Sequence, residues 1–160
     1  MKQHLTHPIA PVWDERSRVL ILGSFPSVKS REENFFYGHP QNRFWRVLSA
    51  VLDCPLPDSV EEKRRMLLAH GIALWDVIAS CEIEGSADAS IENAVPNDLA
   101  PIFAAAEIRA VYCNGTAAWT LYEKHIRPLL GRAAVKLPST SPANARWTVE
   151  KLVEAWRVIR

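Results

Sequence analysis

The chain is 160 residues long, with 48% hydrophobic and 23% charged residues, which is ordinary for one folded domain of a soluble enzyme or binding protein. This composition excludes a disordered tail and a fibrous repeat, and no apolar stretch approaches the roughly 18 residues of a membrane helix. The 19 basic and 18 acidic side chains give a net charge of +1, which is far less basic than is usual for a protein that coats nucleic acid. A DNA enzyme with a few cations around one site remains compatible with this balance.

The three cysteines, Cys54, Cys81 and Cys113, are isolated and form no CxxC pair. Because zinc and iron–sulfur sites usually contain such pairs, we expect reduced structural thiols, no bound metal and no cofactor. The N-terminal residues lead into no apolar segment of the kind found in secretion signals. These features predict a cytoplasmic protein without a membrane partner, and we expect it to be a monomer.

Apolar strands alternate with helices along the chain. Short apolar runs predict buried strands at residues 18–22, 72–78, 109–113 and 135–137. Between the first strand and the first helix, residues 24–41 are expected to form a long loop. Apolar spacing and capping residues predict helices that begin near residue 42, at residue 59, at residue 97 or 98, after residue 115 and near residue 149. The second of these helices should stop at Gly71.

Strands alternating with helices indicate a parallel sheet that is covered on both faces. We predict an α/β fold: a single three-layer α/β/α domain around a mainly parallel four-stranded sheet, with its core over residues 17–160 and residues 1–16 as an N-terminal extension. Ligands of such folds bind beyond the carboxyl ends of the strands. Four unusual segments follow the strands and should therefore meet at one rim, namely residues 23–45, 76–88, 113–116 and 138–145.

The first of these segments contains GSFPSVKSREENFFYGHPQNRFW. Gly23 and Pro26 predict a tight turn whose backbone amides could face an anion or a carbonyl-bearing ring. Tyr37 offers a flat surface for stacking on a base, although ordinary loop packing is an alternative. Asn42 carries both a donor and an acceptor that could hold a water molecule, or it simply caps the next helix.

The other segments also carry polar groups, and each group could either contact a ligand or have a purely structural role. LPSTSPANA, at residues 137–145, has three hydroxyls between two prolines, so it could grip phosphates or form a plain surface turn. Asp76 interrupts an apolar strand, and a buried carboxylate costs several kcal/mol unless it is paired. It is therefore either paired within the protein or bound to a polar ligand. Asn114 could contact a ligand or only form the turn before its helix.

GSFPS, HPQNRFW, LWDV and LPSTSPANA, in this order, resemble the uracil-DNA glycosylase superfamily and, within it, the hypoxanthine (deoxyinosine) DNA glycosylases. The resemblance covers essentially the whole chain from Arg18 onward. It implies a DNA repair enzyme that flips a deaminated base out of double-stranded DNA. The expected reaction is hydrolysis of the N-glycosidic bond, without metal or cofactor, to leave an abasic site, and the expected base is hypoxanthine.

The resemblance also implies roles for individual residues. Mismatch-specific relatives carry G-x-N-P in the first motif, and its Asn positions the attacking water. Phe25 stands at that position here, so catalysis is assigned to Asn42 of the HPxN string, as in the hypoxanthine branch. Expected base contacts come from Gly23, Ser24, Phe25, Tyr37, Asp76 and Asn114. Expected DNA contacts come from Ser27, His39, Ser139, Thr140, Ser141, Pro142 and Asn144, with residues 142–144 filling the space that the flipped base leaves.

Other interpretations stay open at this point. The chain could be a uracil or mismatch-specific glycosylase of the same superfamily, or a lesion-binding module without catalysis. A serine hydrolase using Ser24 or Ser27 with His39 is disfavoured because the sequence has no G-x-S-x-G elbow. His39 could protonate the leaving purine, touch a phosphate or brace its loop. The segment EIEGSADAS departs from the hypoxanthine branch at Glu84 and Ala87.

Overall fold

The computed structural model describes residues 2–160 and contains two sheets. The strands are β1 (Gln3–Thr6), β2 (Val19–Gly23), β3 (Ile72–Asp76), β4 (Ile78–Ile83), β5 (Glu92–Pro96), β6 (Ala110–Asn114) and β7 (Val135–Leu137). The helices are α1 (Val28–Glu33), α2 (Phe44–Leu52), α3 (Val60–Ala69), α4 (Ala100–Ala105), α5 (Thr116–His125), α6 (Arg127–Leu130) and α7 (Val149–Trp156). Within residues 2–160, no helix is long and apolar enough to cross a bilayer.

The larger sheet has the strand order β3-β2-β6-β7, and all of its neighbouring strands are parallel. Successive side chains of β2 point to opposite faces, as strand geometry requires. Ile21 packs in a core cluster with Phe44 of α2 and Trp156 of α7, whereas Leu20 packs in a second cluster with Tyr122 of α5. Helices therefore cover both faces of the sheet, and the predicted α/β fold is confirmed.

A second, antiparallel sheet with the order β1-β4-β5 differs from the prediction. The sequence analysis predicts one strand over residues 72–78, but β3 ends at Asp76 and the chain enters the second sheet at Ile78. The break is hidden in the sequence because Val77 and Ile78 are both fully buried, so the apolar run continues across it. Residues 1–16, predicted as an extension, instead contribute β1, which pairs with β4, and Val12, which bridges to Leu74.

The predicted long loop at residues 24–41 contains the short helix α1. Ser27 caps this helix by accepting a hydrogen bond from the backbone N–H of Ser30, and the helix ends at Asn34, which has a φ of +56°. Because the helix has only six residues and its interior is polar, no apolar stripe marks it in the sequence. The second predicted helix is present as α3, followed by Gly71 with a φ of +67°.

Asn97 joins the two sheets at the crossover between β3 and β4. Its side-chain nitrogen donates to the carbonyl oxygens of Asp76 at 2.9 Å and Ile78 at 3.2 Å, and its backbone N–H donates to Val77 at 2.7 Å. The sequence analysis offers Asn97 or Asp98 as the cap of α4, and Asp98 is the residue that accepts from the Ala100 N–H. Asn97 is buried and satisfies the carbonyl groups of the last residue of β3 and the first residue of β4, where the chain passes from one sheet to the other.

Replacement of Asn97 tests this junction. Asn97→Ala leaves two buried carbonyl groups without their donor, and we expect the free energy of unfolding to fall by about 1–3 kcal/mol. Urea denaturation followed by circular dichroism measures the change. Val95→Ala, at a half-exposed position on β5, is the matched control and should stay within about 0.5 kcal/mol of the wild type. Equal losses in the two variants would contradict the role given to Asn97.

Candidate active site

A cavity of about 330 Å³ opens beyond the carboxyl ends of the parallel strands. This volume is within the usual range of small-molecule sites. Its wall brings together residues from all four segments that the sequence analysis singles out: Gly23, Ser24, Phe25, Ser27, Tyr37, His39, Asn42, Asp76, Asn114, Ser139, Thr140, Ser141 and Pro142. The expected convergence is therefore observed, while the role of each residue in binding or catalysis stays a prediction at this point.

One predicted contact residue lies elsewhere, and the wall includes residues that are not among the predicted contacts. Asn144 is not part of the cavity wall; its side-chain nitrogen donates to the Ser139 carbonyl at 3.0 Å and braces the loop. The additional wall residues are Pro26, Ser30, Phe36, Ser86, Asp88 and Ala143. Ser86 and Asp88 come from the loop after β4 and belong to the segment at residues 76–88 that the sequence analysis expects at the rim, although neither is named there as a contact.

A directed chain of hydrogen bonds links Asn114, Thr140 and Asn42. The backbone N–H of Thr140 donates to Asn114 Oδ1 at 3.0 Å, which leaves Asn114 Nδ2 to donate to Thr140 Oγ1, also at 3.0 Å. Because Oγ1 accepts there, its own proton is directed to Asn42 Oδ1 at 2.9 Å. The backbone amide of Thr140 thus sets the direction of the whole chain.

These hydrogen bonds determine which end of the Asn42 side-chain amide remains free to contact a ligand. Asn42 Oδ1 accepts from both Thr140 and the backbone N–H of Phe44, each at 2.9 Å, so the side chain caps the first turn of α2. Since Phe44 supplies a donor, the atom that faces it must be the oxygen, which fixes the orientation of the amide. The group that Asn42 has left for the cavity is its NH₂.

Thr140 does not fit the predicted contact with DNA. The residue is fully buried, and its N–H, hydroxyl and carbonyl groups all bond within the protein. Its position in the middle of STSP places it beneath the loop surface, where it holds Asn42 and Asn114. The neighbouring Ser139 and Ser141 hydroxyls accept from the N–H groups of Ser141 and Ala143, respectively, and so shape the turn.

Arg43 fixes the same loop from below. Its guanidinium donates to the carbonyl oxygens of Ser141 at 2.7 Å, Asn144 at 3.1 Å and Thr140 at 3.3 Å, and also to that of Trp147. Within residues 2–160 this guanidinium makes no ion pair, and its donors are directed to carbonyl groups. The Arg of HPQNRFW therefore joins the start of α2 to the loop at residues 138–147.

The backbone comes very close to side chains at two glycines of the cavity. A Cβ on Gly23 would collide with Asp76 Oδ1 and would lie 2.9 Å from the Tyr37 hydroxyl. Gly115 has a φ of +97°, and a Cβ there would approach the Ser139 side chain to 3.0 Å. Both positions therefore require glycine, because a side chain would displace the polar groups of the cavity.

Tyr37 forms part of the wall with one ring face already occupied. Its ring stacks on Phe44 with centroids 4.1 Å apart, and its backbone has a φ of +54°. Its hydroxyl is buried near Asn114, but no hydrogen bond of acceptable geometry forms within residues 2–160. Burial, with a contribution from the Asp76 carboxylate, raises the pKa of Tyr37 well above its ordinary value, so the phenol stays protonated.

Asp76 has a partner that the sequence analysis missed. His7 Nε2 lies 2.7 Å from Asp76 Oδ2, and both side chains are almost completely buried. His7 belongs to the segment between β1 and β2, which was assigned to an extension outside the core. Of the two interpretations of Asp76, pairing within the protein is thus observed for Oδ2, while Asp76 also remains part of the cavity wall.

The serines of the disfavoured hydrolase interpretation are engaged elsewhere. The Ser24 hydroxyl donates to Asp88 Oδ1 at 2.7 Å, and the Ser27 hydroxyl donates to Ser30 Oγ at 3.1 Å while it caps α1. His39 Nδ1 accepts from the backbone N–H of Gln41 at 3.1 Å, which favours the bracing role. Within residues 2–160 no serine–histidine pair forms at the cavity, so the hydrolase interpretation loses its support.

Comparisons with known proteins agree with these motifs. The model of the uracil DNA glycosylase superfamily matches residues 10–160. The chain belongs to the uracil DNA glycosylase superfamily. It is 35% identical over 150 residues to a Methanosarcina acetivorans protein named hypoxanthine DNA glycosylase, covering 92% of this chain and 93% of that one. A Methanosarcina barkeri protein of the same name is 34% identical over 144 residues, covering 85% and 86% of the two chains.

Solved structures agree with this assignment. The solution NMR structure of a candidate uracil DNA glycosylase from Methanosarcina acetivorans superposes with a TM-score of 0.80 at 30% identity, covering 98% of this chain and 99% of that one. The resemblance inferred from the four motifs is thereby confirmed. For this member of the superfamily, the match includes residues 10–16, which the sequence analysis left outside the core.

The contacts of Arg43 predict the effect of replacing it in this superfamily member. Arg43→Lys keeps the charge, but a single ammonium group cannot reach four carbonyl oxygens arranged around a planar guanidinium. We expect amide hydrogen exchange in residues 139–147 to accelerate at least tenfold, as followed by mass spectrometry. Arg46→Lys, at an exposed position on α2, is the matched control and should leave exchange in this loop unchanged. Unaltered loop exchange in Arg43→Lys would show that the guanidinium does not hold the loop.

Asp88 predicts a pH-dependent change in stability. Loss of hydration raises the pKa of this carboxyl group and the Asp76 charge raises it further, while the Ser24 hydroxyl partly offsets both. A carboxyl group with a raised pKa in the folded state disfavours folding once the pH exceeds its unfolded value of about 3.9. Asp88→Asn, which still accepts from Ser24, should therefore raise the thermal midpoint at pH 8 and leave it unchanged near pH 3.

Thermal unfolding of Asp88→Asn at several pH values measures this difference. Asp58→Asn, an exposed carboxylate before α3, is the control for the loss of one negative charge. A gain in Asp88→Asn that is as large at pH 3 as at pH 8, or that equals the control at every pH, would contradict the assigned environment of Asp88.

Proposed function

We propose that this chain is a monofunctional hypoxanthine DNA glycosylase, which hydrolyses the N-glycosidic bond of deoxyinosine in double-stranded DNA and leaves an abasic site. The observation that carries the proposal is the meeting of Asn42, Asp76 and the loop residues 139–143 around one cavity. Additional support comes from the similarity, over nearly the full length, to two proteins named hypoxanthine DNA glycosylase. The product would enter base excision repair.

The base must leave the DNA stack before it can enter the cavity. Flipping costs a few kcal/mol and is easiest where the base is poorly paired, as hypoxanthine is opposite thymine. The rigid turn at residues 138–142 would support the distorted backbone, and Pro142 and Ala143 lie at the cavity edge where they could fill the vacated space. Stacking on the Tyr37 ring would contribute about 1–3 kcal/mol.

Asp76 would contact the polar edge of the base. Hypoxanthine carries an N1–H donor beside its C6 carbonyl, whereas adenine, from which it arises by deamination, has an acceptor at N1. The Asp76 carboxylate is an acceptor in the cavity wall, and it therefore suits the N1–H of hypoxanthine. Uracil has the same N–H and carbonyl edge, so its excision is the second activity to be tested.

Asn42 would hold the attacking water through its NH₂ group. The water oxygen would accept from Asn42 Nδ2 and would keep a lone pair for the anomeric carbon. An amide is too weakly basic to remove a proton early, so its contribution would be positioning and electrostatic stabilisation of an oxocarbenium-like sugar. In the described chain, no lysine lines the cavity, which supports direct hydrolysis over a Schiff-base mechanism.

The experiment uses end-labelled duplexes with a single hypoxanthine or uracil, and alkali reveals the abasic sites. We expect strand scission at hypoxanthine and little at uracil. Asn42→Ala should lower the single-turnover rate at least 100-fold while binding to the duplex persists, because the attacking water loses its donor. Scission at uracil alone would show that uracil, and not hypoxanthine, is the substrate. No scission at either base would contradict the proposed glycosylase activity.

A matched control separates catalysis from stability. Asn42→Ala also removes the cap of α2, which costs about 1 kcal/mol of stability. Ser59 caps α3 by accepting from the Glu62 N–H at 3.1 Å, away from the cavity wall. Ser59→Ala should therefore cause a similar loss of stability without slowing excision. Equal slowing in the two variants would show that the effect of Asn42→Ala is structural.

A further inference from the structure

His7 is a buried histidine that lies directly behind the cavity. Its ring lies among the rings of Phe25, Phe36 and Trp75, with centroid distances of 5.8, 6.2 and 6.2 Å. Its side chain is 2% exposed, and that of Asp76 is 5% exposed. His7 is not part of the cavity wall, so any effect that it has on a ligand must pass through the wall residues that it contacts. These are Phe25 and Phe36, which it touches by ring packing, and Asp76, to which it is hydrogen-bonded.

The hydrogen bonds of His7 determine where its proton lies. The backbone N–H of Ile9 donates to His7 Nδ1 at 3.1 Å, so Nδ1 acts as an acceptor and carries no proton. A neutral imidazole then has its proton on Nε2, which donates to Asp76 Oδ2 at 2.7 Å. The packed ring cannot turn over without losing both bonds, and the tautomer is thereby fixed by a backbone amide.

The position of Asp76 is fixed from several sides. Oδ2 accepts a hydrogen bond from His7, the backbone carbonyl accepts from Asn97, and Oδ1 lies so close to Gly23 that a Cβ there would collide with it. Because His7 Nε2 donates a hydrogen bond to Oδ2, that oxygen of the carboxyl group is held as an acceptor. Asp76 therefore contributes a fixed acceptor to the cavity wall.

We propose that His7 is a positioning residue that holds Asp76 as a hydrogen-bond acceptor and thereby makes the cavity selective for bases with an N–H beside a carbonyl. The inference rests on the proposed glycosylase function and concerns the same cavity. Hypoxanthine satisfies the acceptor with N1–H. Adenine places a lone pair there, and a site built to receive an N–H rejects such a partner strongly because its polar group is left unpaired.

Two substitutions of His7 separate hydrogen bonding from packing. His7→Gln keeps an N–H donor for Asp76 but loses the aromatic ring. His7→Phe keeps an aromatic ring among Phe25, Phe36 and Trp75 but loses the donor. If His7 acts on Asp76, His7→Gln should excise hypoxanthine within about threefold of the wild type and His7→Phe should be at least tenfold slower. If His7 only fills space, the order of the two variants is reversed, and the proposal is overturned.

The selectivity is measured with hypoxanthine and adenine placed opposite the same abasic-site analogue, so that neither base has a partner to lose. The full chain is used under single-turnover conditions, with folding checked by circular dichroism. We expect the wild type and His7→Gln to prefer hypoxanthine by at least 1,000-fold, and His7→Phe to lose at least tenfold of that preference. An unchanged preference in His7→Phe would contradict the inference.

A double-mutant cycle tests whether His7 acts through Asp76. Asp76→Ala removes the acceptor, and the further change His7→Phe in that background should alter the hypoxanthine rate by less than twofold. Additive losses would show that His7 acts by another route and would overturn the inference. The proposed function is judged separately. A wild-type chain that fails to excise hypoxanthine contradicts the proposed function. A wild-type chain that excises hypoxanthine, with rate and preference unchanged by the His7 substitutions, contradicts only the inference about His7.

Discussion

The cavity depends on the backbone N–H of Thr140, which sets the direction of a chain of hydrogen bonds. This donor fixes the Asn114 amide, which fixes the Thr140 hydroxyl, which in turn donates to Asn42. The N–H of Phe44 fixes the same Asn42 oxygen from the other end. An asparagine at the surface could present either end of its amide. Here two backbone donors, placed by a loop and by a helix start, leave only the NH₂ for a ligand.

These hydrogen bonds require the loop after β7 to keep its position against α2, and Arg43 supplies that restraint. Burial of a guanidinium against carbonyl groups is favourable only when its donors are satisfied, and the carbonyls of residues 140, 141, 144 and 147 do this. The loop therefore turns its carbonyl groups inward. Its proline-bounded outer surface is thereby held in place, which would lower the entropy lost in the proposed binding of DNA.

The parts of the site that lie on strongly patterned elements could be predicted from the sequence. Strands β2, β6 and β7 are marked by apolar runs, so HPQNRFW and LPSTSPANA could be expected to meet at one rim, as they do. Asp88 falls in the segment at residues 76–88 that is expected at the rim, but its hydrogen bond to Ser24 could not be predicted. His7 could not be placed, because it follows β1 of the second sheet. Strands β1 and β5 of that sheet are mostly exposed and carry polar residues, so no alternation marks them. Thr140 lies in the segment that is expected at the rim, but its burial beneath the loop, where its carbonyl accepts from Arg43, could not be predicted from the local sequence.

His7 and Asn42 are each oriented by a hydrogen bond from a backbone N–H, but they present opposite polarities to the cavity. In each case a backbone N–H, of Ile9 or of Phe44, is donated to a side chain that could otherwise take two orientations. The imidazole donates a hydrogen bond to Asp76 and leaves an acceptor in the cavity wall, whereas the Asn42 amide oxygen accepts two hydrogen bonds and leaves the NH₂ donor. Since neither side chain has to reorient when a ligand arrives, both polar groups are preorganised in the sense that favours catalysis. The polarity of the cavity is thus determined by main-chain groups outside it, which explains why a segment without any family motif, the one that carries His7, bears on the site.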